Sequence, residues 1–391
     1  MKRIYLFPGR EKLALNRHPW LYSGALAPIK APPAAGEIVE VWSSSDTFIA
    51  YGQYNPHSKI RVRLMEWNLN VSVDLDWFRS RVREAWDLRK GLLARTNAFR
   101  VIFSESDGLP GLIVDRFDAY LVVQFLTSGA DAWRPFLPEL LLAEIPGVVG
   151  VYEKSDGDGR RMENLPASEG HLLGETLPQS LEIREDGRRY IVNPASQKTG
   201  FYTDQRDNRT AIAPWLKGLR VLDAFCFTGG FAVAAMQAGA AQVTLLDSSA
   251  DALAQAQDNL KRGGWSAAES LQADAFQALR DLQKRGQTYQ AIVLDPPKLA
   301  SSREHLNKAL RGYKDLNLQA LKLLEPGGYL ASFSCSGLVD MKTFREMIAF
   351  AAKDSGRRVD IVLQLHQASC HPVRTSMPEA EYLKGTFLRV L

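Results

Sequence analysis

Four polar side chains in the C-terminal half stand at equivalent places. Asp247, Asp274, Asp295 and Cys335 each follow a short apolar run of the kind that makes a buried strand. Ligands of open α/β sheets lie outside the carboxyl ends of the strands, so four such ends define one site. From Val221 to Asp247 the chain reads as strand, glycine turn, helix, strand and acid. The turn Phe227-Thr228-Gly229-Gly230 lets a ligand approach the main chain, because glycine has no β-carbon. A carboxylate at the tip of the second strand accepts both hydroxyl hydrogens of a ribose, and Asp247 holds that place. A dinucleotide needs three spaced glycines to bring a helix N-terminus to its pyrophosphate. The first two of those positions are Phe225 and Phe227, which makes a poor phosphate cradle. S-adenosylmethionine has no phosphate and needs only a tight turn and an acid. The methyl donor is therefore favoured, with a ligand-free structural turn as the bland alternative.

Asp295-Pro296-Pro297-Lys298 puts a carboxylate beside two stiff prolines, where a planar base can be held. By itself this pattern points to methylation of a base nitrogen. Cys335 points elsewhere. Carbon 5 of a pyrimidine is a weak nucleophile until a thiolate adds at carbon 6 and makes carbon 5 carbanionic. Most cysteines are inert and buried. The flanking Ser334, Ser336 and Gly337 argue against an apolar niche for this one. Cys226 and Cys370 are expected to pack without reacting. The histidines show no paired ligand spacing beyond His366 and His371, so no metal is expected.

The elements that must position these groups follow an α/β rhythm. Strands are expected over 221–222, 243–246, 269–273, 290–294, 329–333, 359–364 and 386–390. Helices are expected over 204–216, 231–237, 250–262, 275–285 and 313–324. Asp204 is placed to cap the first of these helices. The polar loop Gln197 to Arg206 precedes the first sheet strand, so it can fold over the mouth of the site. A hairpin is expected around Asp186-Gly187. The first 72 residues carry β-rich runs over 37–42, 48–51 and 60–65. Arg61 and Arg63 alternate with Ile60, Val62 and Leu64, which predicts one basic face and one apolar face. Trp20 and Tyr22 among basic groups suit base stacking, with a plain core role as the alternative. Residues 73–93 have helical period. Strands follow over 100–103, 112–114, 120–125 and 148–152, with a helix over 133–142, as a compact α+β insert.

Composition is that of a soluble globular protein, with 46% apolar and 24% charged residues over 391 positions. No apolar run is long enough for a membrane span, and the basic N-terminus leads into no signal-peptide core. Three cysteines are too few and too scattered for a disulfide framework. Net charge is +4 over 1–72, −6 over 73–185 and +6 over 186–391. Basic outer segments suit a polyanionic ligand that touches both.

Together the motifs resemble the bacterial large-subunit (23S) ribosomal RNA cytosine-C5 methyltransferase I family, over nearly the whole length. GREK at 9–12 and HPWLYSG at 18–24 resemble its N-terminal PUA domain, and SDGLPGLIVDRF at 106–117 its central domain. KTGFYTDQRDNR at 198–209, TGGF at 228–231, DPPK at 295–298, RGYKDLN at 311–317 and FSCSG at 333–337 resemble its methyltransferase domain. The resemblance implies a PUA-like RNA-binding domain over 1–72 and a central α+β domain over 73–185. Over 186–391 it implies a class I S-adenosylmethionine-dependent domain with a Rossmann-like sheet. It also implies methylation of one cytosine in 23S rRNA, with Cys335 as nucleophile. Related families with the DPP motif but no such cysteine methylate guanine nitrogen, so Cys335 decides the target base. Many other RNA cytosine-C5 enzymes carry a second cysteine in the DPP-equivalent motif. Proline and lysine stand there in this chain, which leaves the acceptor of the carbon-5 proton unassigned.

The expected roles follow. Cys335 and Asp295 are catalytic. Phe225, Thr228 and Gly229 line the methionine end, Asp247 holds the ribose and Asp274 the adenine amine, while Tyr202 and Gln205 close over the donor. Pro296, Pro297, Lys298, Arg10 and Lys12 bind the substrate RNA. A cytoplasmic monomer or homodimer is expected. Two alternatives are an rRNA guanine-N methyltransferase on the same fold and a non-catalytic RNA-binding ribosome assembly factor.

Overall fold

The computed structural model describes residues 1–196, 200–300 and 302–391, with only the main chain at Asp158. Gln197, Lys198 and Thr199 of the polar loop, and so the start of KTGFYTDQRDNR, lie outside the described residues. The chain divides into two compact units, Met1–Leu181 with Cys370–Ala380, and Glu182–Ser369 with Glu381–Leu391.

The first unit holds two five-stranded sheets. In one, Lys2–Tyr5, Ile38–Trp42, Phe48–Tyr54, Ile60–Glu66 and Trp20–Tyr22 lie side by side in that order. Val62 and Leu64 point into its core. The alternate residues do not form a free basic face. Arg63 is paired with Glu105 at 2.6 Å and Glu163 at 3.2 Å, and Arg61 donates to the Asn55 carbonyl. Trp20 is engaged too, its indole N–H donating to Glu105 at 2.8 Å, whereas Tyr22 stays exposed. Polar groups drawn even partly out of water need partners, and the acids of the second sheet region supply them. That sheet runs Ser168–Gly174, Gly150–Ser155, Tyr120–Phe125, Leu112–Phe117, Ala98–Phe103. The helix expected over 73–93 is Leu75–Arg89, started by Asp74, whose carboxylate accepts the Trp77 N–H at 3.0 Å. Residues 370–380 belong to this unit rather than to the C-terminal domain. Arg89 donates to the Cys370 carbonyl at 3.1 Å, and His18 meets Glu379 at 3.2 Å.

The second unit carries the seven-stranded sheet that positions the strand-end residues. Its strands are β1 (Arg220–Ala224), β2 (Gln242–Asp247), β3 (Glu269–Gln272), β4 (Tyr289–Leu294), β5 (Leu324–Ser334), β6 (Val359–His366) and β7 (Lys384–Val390). Their spatial order is β3-β2-β1-β4-β5-β7-β6. The first five are parallel, and β7 runs antiparallel to both of its neighbours. The order reverses between β1 and β4, so the binding crevice of such a sheet opens outside their carboxyl ends. Five helices follow the strands: α1 (Gly230–Gln237), α2 (Ala250–Arg262), α3 (Ala275–Lys284), α4 (Leu306–Leu323) and α5 (Met341–Ser355). This is the Rossmann-like sheet expected. Interior strands are apolar on both sides because helices cover both faces, and Val221, Leu222, Ile292, Val293 and Leu294 are all buried. On α5, Phe344, Met347, Ile348, Ala351 and Ala352 recur at helical spacing and are buried, a period the sequence reading passed over. The turn Asp186-Gly187 joins Leu181–Glu185 to Arg188–Val192, with positive φ at both residues (46° and 81°), as a tight hairpin requires. Gly385 is required by a close approach, since a β-carbon there would lie 2.5 Å from the Phe333 ring.

Candidate active site

The turn after β1 is built on three left-handed residues, Phe225 (φ 62°), Phe227 (φ 48°) and Gly229 (φ 82°). Two phenylalanines thus adopt the conformation that glycines hold in the phosphate-binding version of this turn. Each costs of order 1–3 kcal/mol and persists only where its surroundings enforce it. The enforcing contacts are visible. The Phe227 N–H donates to Asp247 Oδ2 at 3.0 Å, and the Phe227 ring meets Tyr202 edge-on at 5.3 Å. Asn259, wholly buried on α2, donates to the Thr228 carbonyl at 2.9 Å and accepts the Ile191 N–H at 2.7 Å. At Gly229 a β-carbon would come within 3.0 Å of Ala256. The turn is pinned from β2, α2 and the hairpin.

Above it lies a cavity of about 270 Å³. Its lining unites Tyr202, Asp204 and Gln205 with Phe225, Phe227, Thr228 and Asp247, and with Asp295, Pro296, Pro297 and Cys335. Cys335, half-buried, sits just past β5, and its thiol faces the Pro296 carbonyl at 3.9 Å. Cysteine and DPP motif are therefore adjacent in space, although 39 positions apart. Cys226 also touches the cavity, but burial pushes its thiol far up, so it stays protonated. Tyr202 is likewise held protonated, first by burial and then by Asp295 and Asp204.

Several expected residues stand elsewhere. Asp274 is outside the lining; its Oδ1 accepts the Gln277 N–H at 3.0 Å and caps α3. Gly229 supports the turn from beneath, with its neighbour Gly230 in the lining. Lys298 is exposed beyond the cavity rim, and Arg10 and Lys12 are exposed in the first unit. Asp204 caps no helix. A short 3₁₀ turn, Thr203–Gln205, precedes the helix Arg206–Ile212, and the Asp204 carboxylate accepts the Tyr382 hydroxyl at 2.5 Å.

Three residues of this site escaped the sequence reading. Asn259 carries no motif. Asp223, in β1, accepts the Ala232 N–H at 2.9 Å, and burial raises its carboxyl to about 8. Lys384, at the start of β7, is buried beside Cys335. A lysine at the start of the last strand, and an acid inside an apolar one, were the available signals.

The cavity fits S-adenosylmethionine. Gln205 Nε2 and Asp204 Oδ1 both face burial with no hydrogen-bond partner among the described residues. Buried polar atoms of this kind call for a ligand's donors and acceptors. Asp247 offers a carboxylate whose position is fixed by the Phe227 and Ser249 N–H groups.

Comparison with known proteins identifies the domains and the family. Residues 4–67 match the model of a PUA-like domain, and residues 160–351 that of an S-adenosylmethionine-dependent methyltransferase. The Ribosomal RNA large subunit methyltransferase I of Shewanella denitrificans is 42% identical, covering 99% of each chain. That of Pseudoalteromonas atlantica is 43% identical, over 100% of this chain and 99% of the relative. A SAM-dependent methyltransferase from Streptococcus mutans superposes with a TM-score of 0.86 at 22% identity over all of both chains. A methyltransferase solved in complex with SAH gives 0.87 at 21% identity, again over both whole chains. These last two speak to the fold alone. Identity above 40% from end to end is more than a shared module, and on it the chain belongs to the ribosomal RNA large subunit methyltransferase I family of S-adenosylmethionine-dependent enzymes.

Proposed function

We propose that the protein methylates carbon 5 of a cytosine in 23S rRNA, with Cys335 as the nucleophile. The observation that carries this reading is the single cavity shared by Cys335, Asp295 and Asp247. S-adenosylmethionine, when bound, supplies an electrophilic methyl group on its sulfonium sulfur. Asp247 accepts the ribose hydroxyls, and Phe225, Thr228 and Gly229 shape the methionine end. Tyr202 and Gln205 close the donor in, with the Gln205 amide as a donor awaiting an acceptor. The second oxygen of Asp274, at the neighbouring strand end, is left for the adenine amine.

Extruding a base from an RNA stack costs a few kcal/mol. Pro296 and Pro297 offer the extruded cytosine a stiff wall, and Asp295 hydrogen-bonds its N3 edge. Cys335 then adds to carbon 6, forming a C–S bond and moving the electron pair of the 5,6 double bond to carbon 5. Carbon 5 takes the methyl group as the methyl–sulfonium bond breaks; a base then takes the carbon-5 proton, and the C–S bond breaks to release the thiolate as the double bond re-forms. Lys298, and Arg10 and Lys12 of the PUA-like domain, meet phosphates. An rRNA substrate supports a cytoplasmic location.

Cys335→Ala protein is expected to bind S-adenosylmethionine normally by calorimetry and to transfer no methyl group to rRNA. Turnover in that variant, with N-methylguanine among the digested nucleosides, would move the reaction to a base nitrogen.

A further inference from the structure

Lysine is among the side chains least often buried, and its charge is costly to desolvate. Lys384 is nevertheless 2% exposed. It opens β7 directly opposite Ser334, the last residue of β5. Its ammonium donates to the Ser336 carbonyl at 2.8 Å and to the Tyr382 carbonyl at 2.6 Å. Ser336 is the residue after Cys335, and its hydroxyl is bound in turn by Tyr313 at 2.8 Å and by the Ala300 N–H at 3.2 Å. The peptide that follows the thiol is thus gripped from β7, from α4 and from the segment after the DPP motif.

Neutral donors would be enough for such a grip, so the retained charge calls for another reason. Cys335, Glu381 before β7 and Asp340 at the start of α5 act electrostatically on the ammonium, and Asp295 and Tyr202 share the cavity with the thiol. A cation beside a cysteine favours the thiolate, the form that attacks. We propose that Lys384 is a positioning residue for Cys335, fixing the main chain beside the thiol and holding the sulfur as a thiolate. Burial lowers the lysine to about 8, so it still carries its proton at neutral pH. The inference builds on Cys335 as the nucleophile but concerns a property of the thiol that can be read without RNA.

The test is the rate of Cys335 alkylation by iodoacetamide across pH, followed on the Cys335 peptide by mass spectrometry. In the wild-type enzyme the half-maximum is expected below the ordinary thiol value of about 8.5. Lys384→Met removes donor and charge. Lys384→Gln keeps donors for the two carbonyls and removes only the charge. Both are expected to raise the half-maximum by about one pH unit or more, making alkylation at pH 7 about tenfold slower. A wild-type half-maximum at or above the ordinary value overturns the proposal, whether or not the variants fold. So does an unmoved profile in variants that still bind S-adenosylmethionine. Turnover by Cys335→Ala would instead overturn the nucleophile assignment and leave this profile standing.

Discussion

Asp247 acts in two directions at the scale of a single residue. One oxygen holds the Phe227 amide and the other the Ser249 amide, which fixes the carboxylate at the mouth of the turn. Its remaining lone pairs face the cavity. Hydrogen bonds to a charged acceptor contribute about 1.5–3 kcal/mol, so Asp247→Asn is expected to weaken S-adenosylmethionine binding by about ten- to a hundredfold, measured by calorimetry. The residues legible in the sequence were those whose chemistry is local. Cys335, Asp295 and Asp247 each end an apolar run, and a strand end is where such a sheet binds. Asn259 and Lys384 were not legible, because their partners are set by packing across the fold. Lys384 meets Ser336 from 48 positions away, and Asn259 meets Thr228 from 31. Asp274 was read as a cofactor ligand, yet its first use is to cap α3.

At the scale of elements, the turn between β1 and α1 concentrates the strain of the site. Phe225 and Phe227 keep left-handed backbone without glycine, and the sequence showed the substitution but not the retained conformation. Beneath the turn, Asp223 receives one N–H of α1, while its Oδ1 has no partner among the described residues. Burial, reinforced by Asp295 and Asp247, raises this carboxyl from the usual range to about 8. The folded chain therefore keeps a proton that the unfolded chain releases near pH 4. The contribution of Asp223 to stability is whole below about pH 4 and is lost as pH rises toward 8. Asp223→Asn is expected to reduce the fall in urea midpoint between pH 5 and pH 8; an unchanged fall would show that this carboxyl is ionised in the folded protein. Of the remaining elements, α5 went unread although its buried positions are regular. The strand Ile60–Glu66 was read correctly in period and wrongly in consequence. Its alternation is real, but Arg63 is spent on Glu105 and Glu163, which the sequence places far away.

The whole molecule joins a PUA-like module to a methyltransferase sheet, and no helix among its described residues is long and apolar enough to cross a membrane. The surprise at this scale is the segment Cys370–Ala380, which leaves the sheet after β6 and joins the N-terminal unit before the chain returns as β7. No composition shift marks it, so the sequence could only assign it to the domain on either side. Arg63 is held by Glu105 and Glu163, whereas Arg10 and Lys12 are exposed in this module. Each phosphate contact adds about one to the slope of log affinity against log salt. Arg10→Glu with Lys12→Glu is expected to weaken binding of an rRNA fragment and flatten its salt dependence by about two, while donor affinity stays unchanged. Unchanged RNA affinity in a salt titration would place the contact surface elsewhere.

Whether sulfur bonds to the base can be seen directly with a 23S rRNA transcript that carries 5-fluorocytidine. Fluorine at carbon 5 leaves no proton to remove, so the enzyme cannot release the adduct. With S-adenosylmethionine present, mass spectrometry is expected to find a Cys335 peptide joined to a methylated fluorocytidine nucleotide. Methyl transfer to a ring or exocyclic nitrogen, with Cys335 unmodified, would contradict the account.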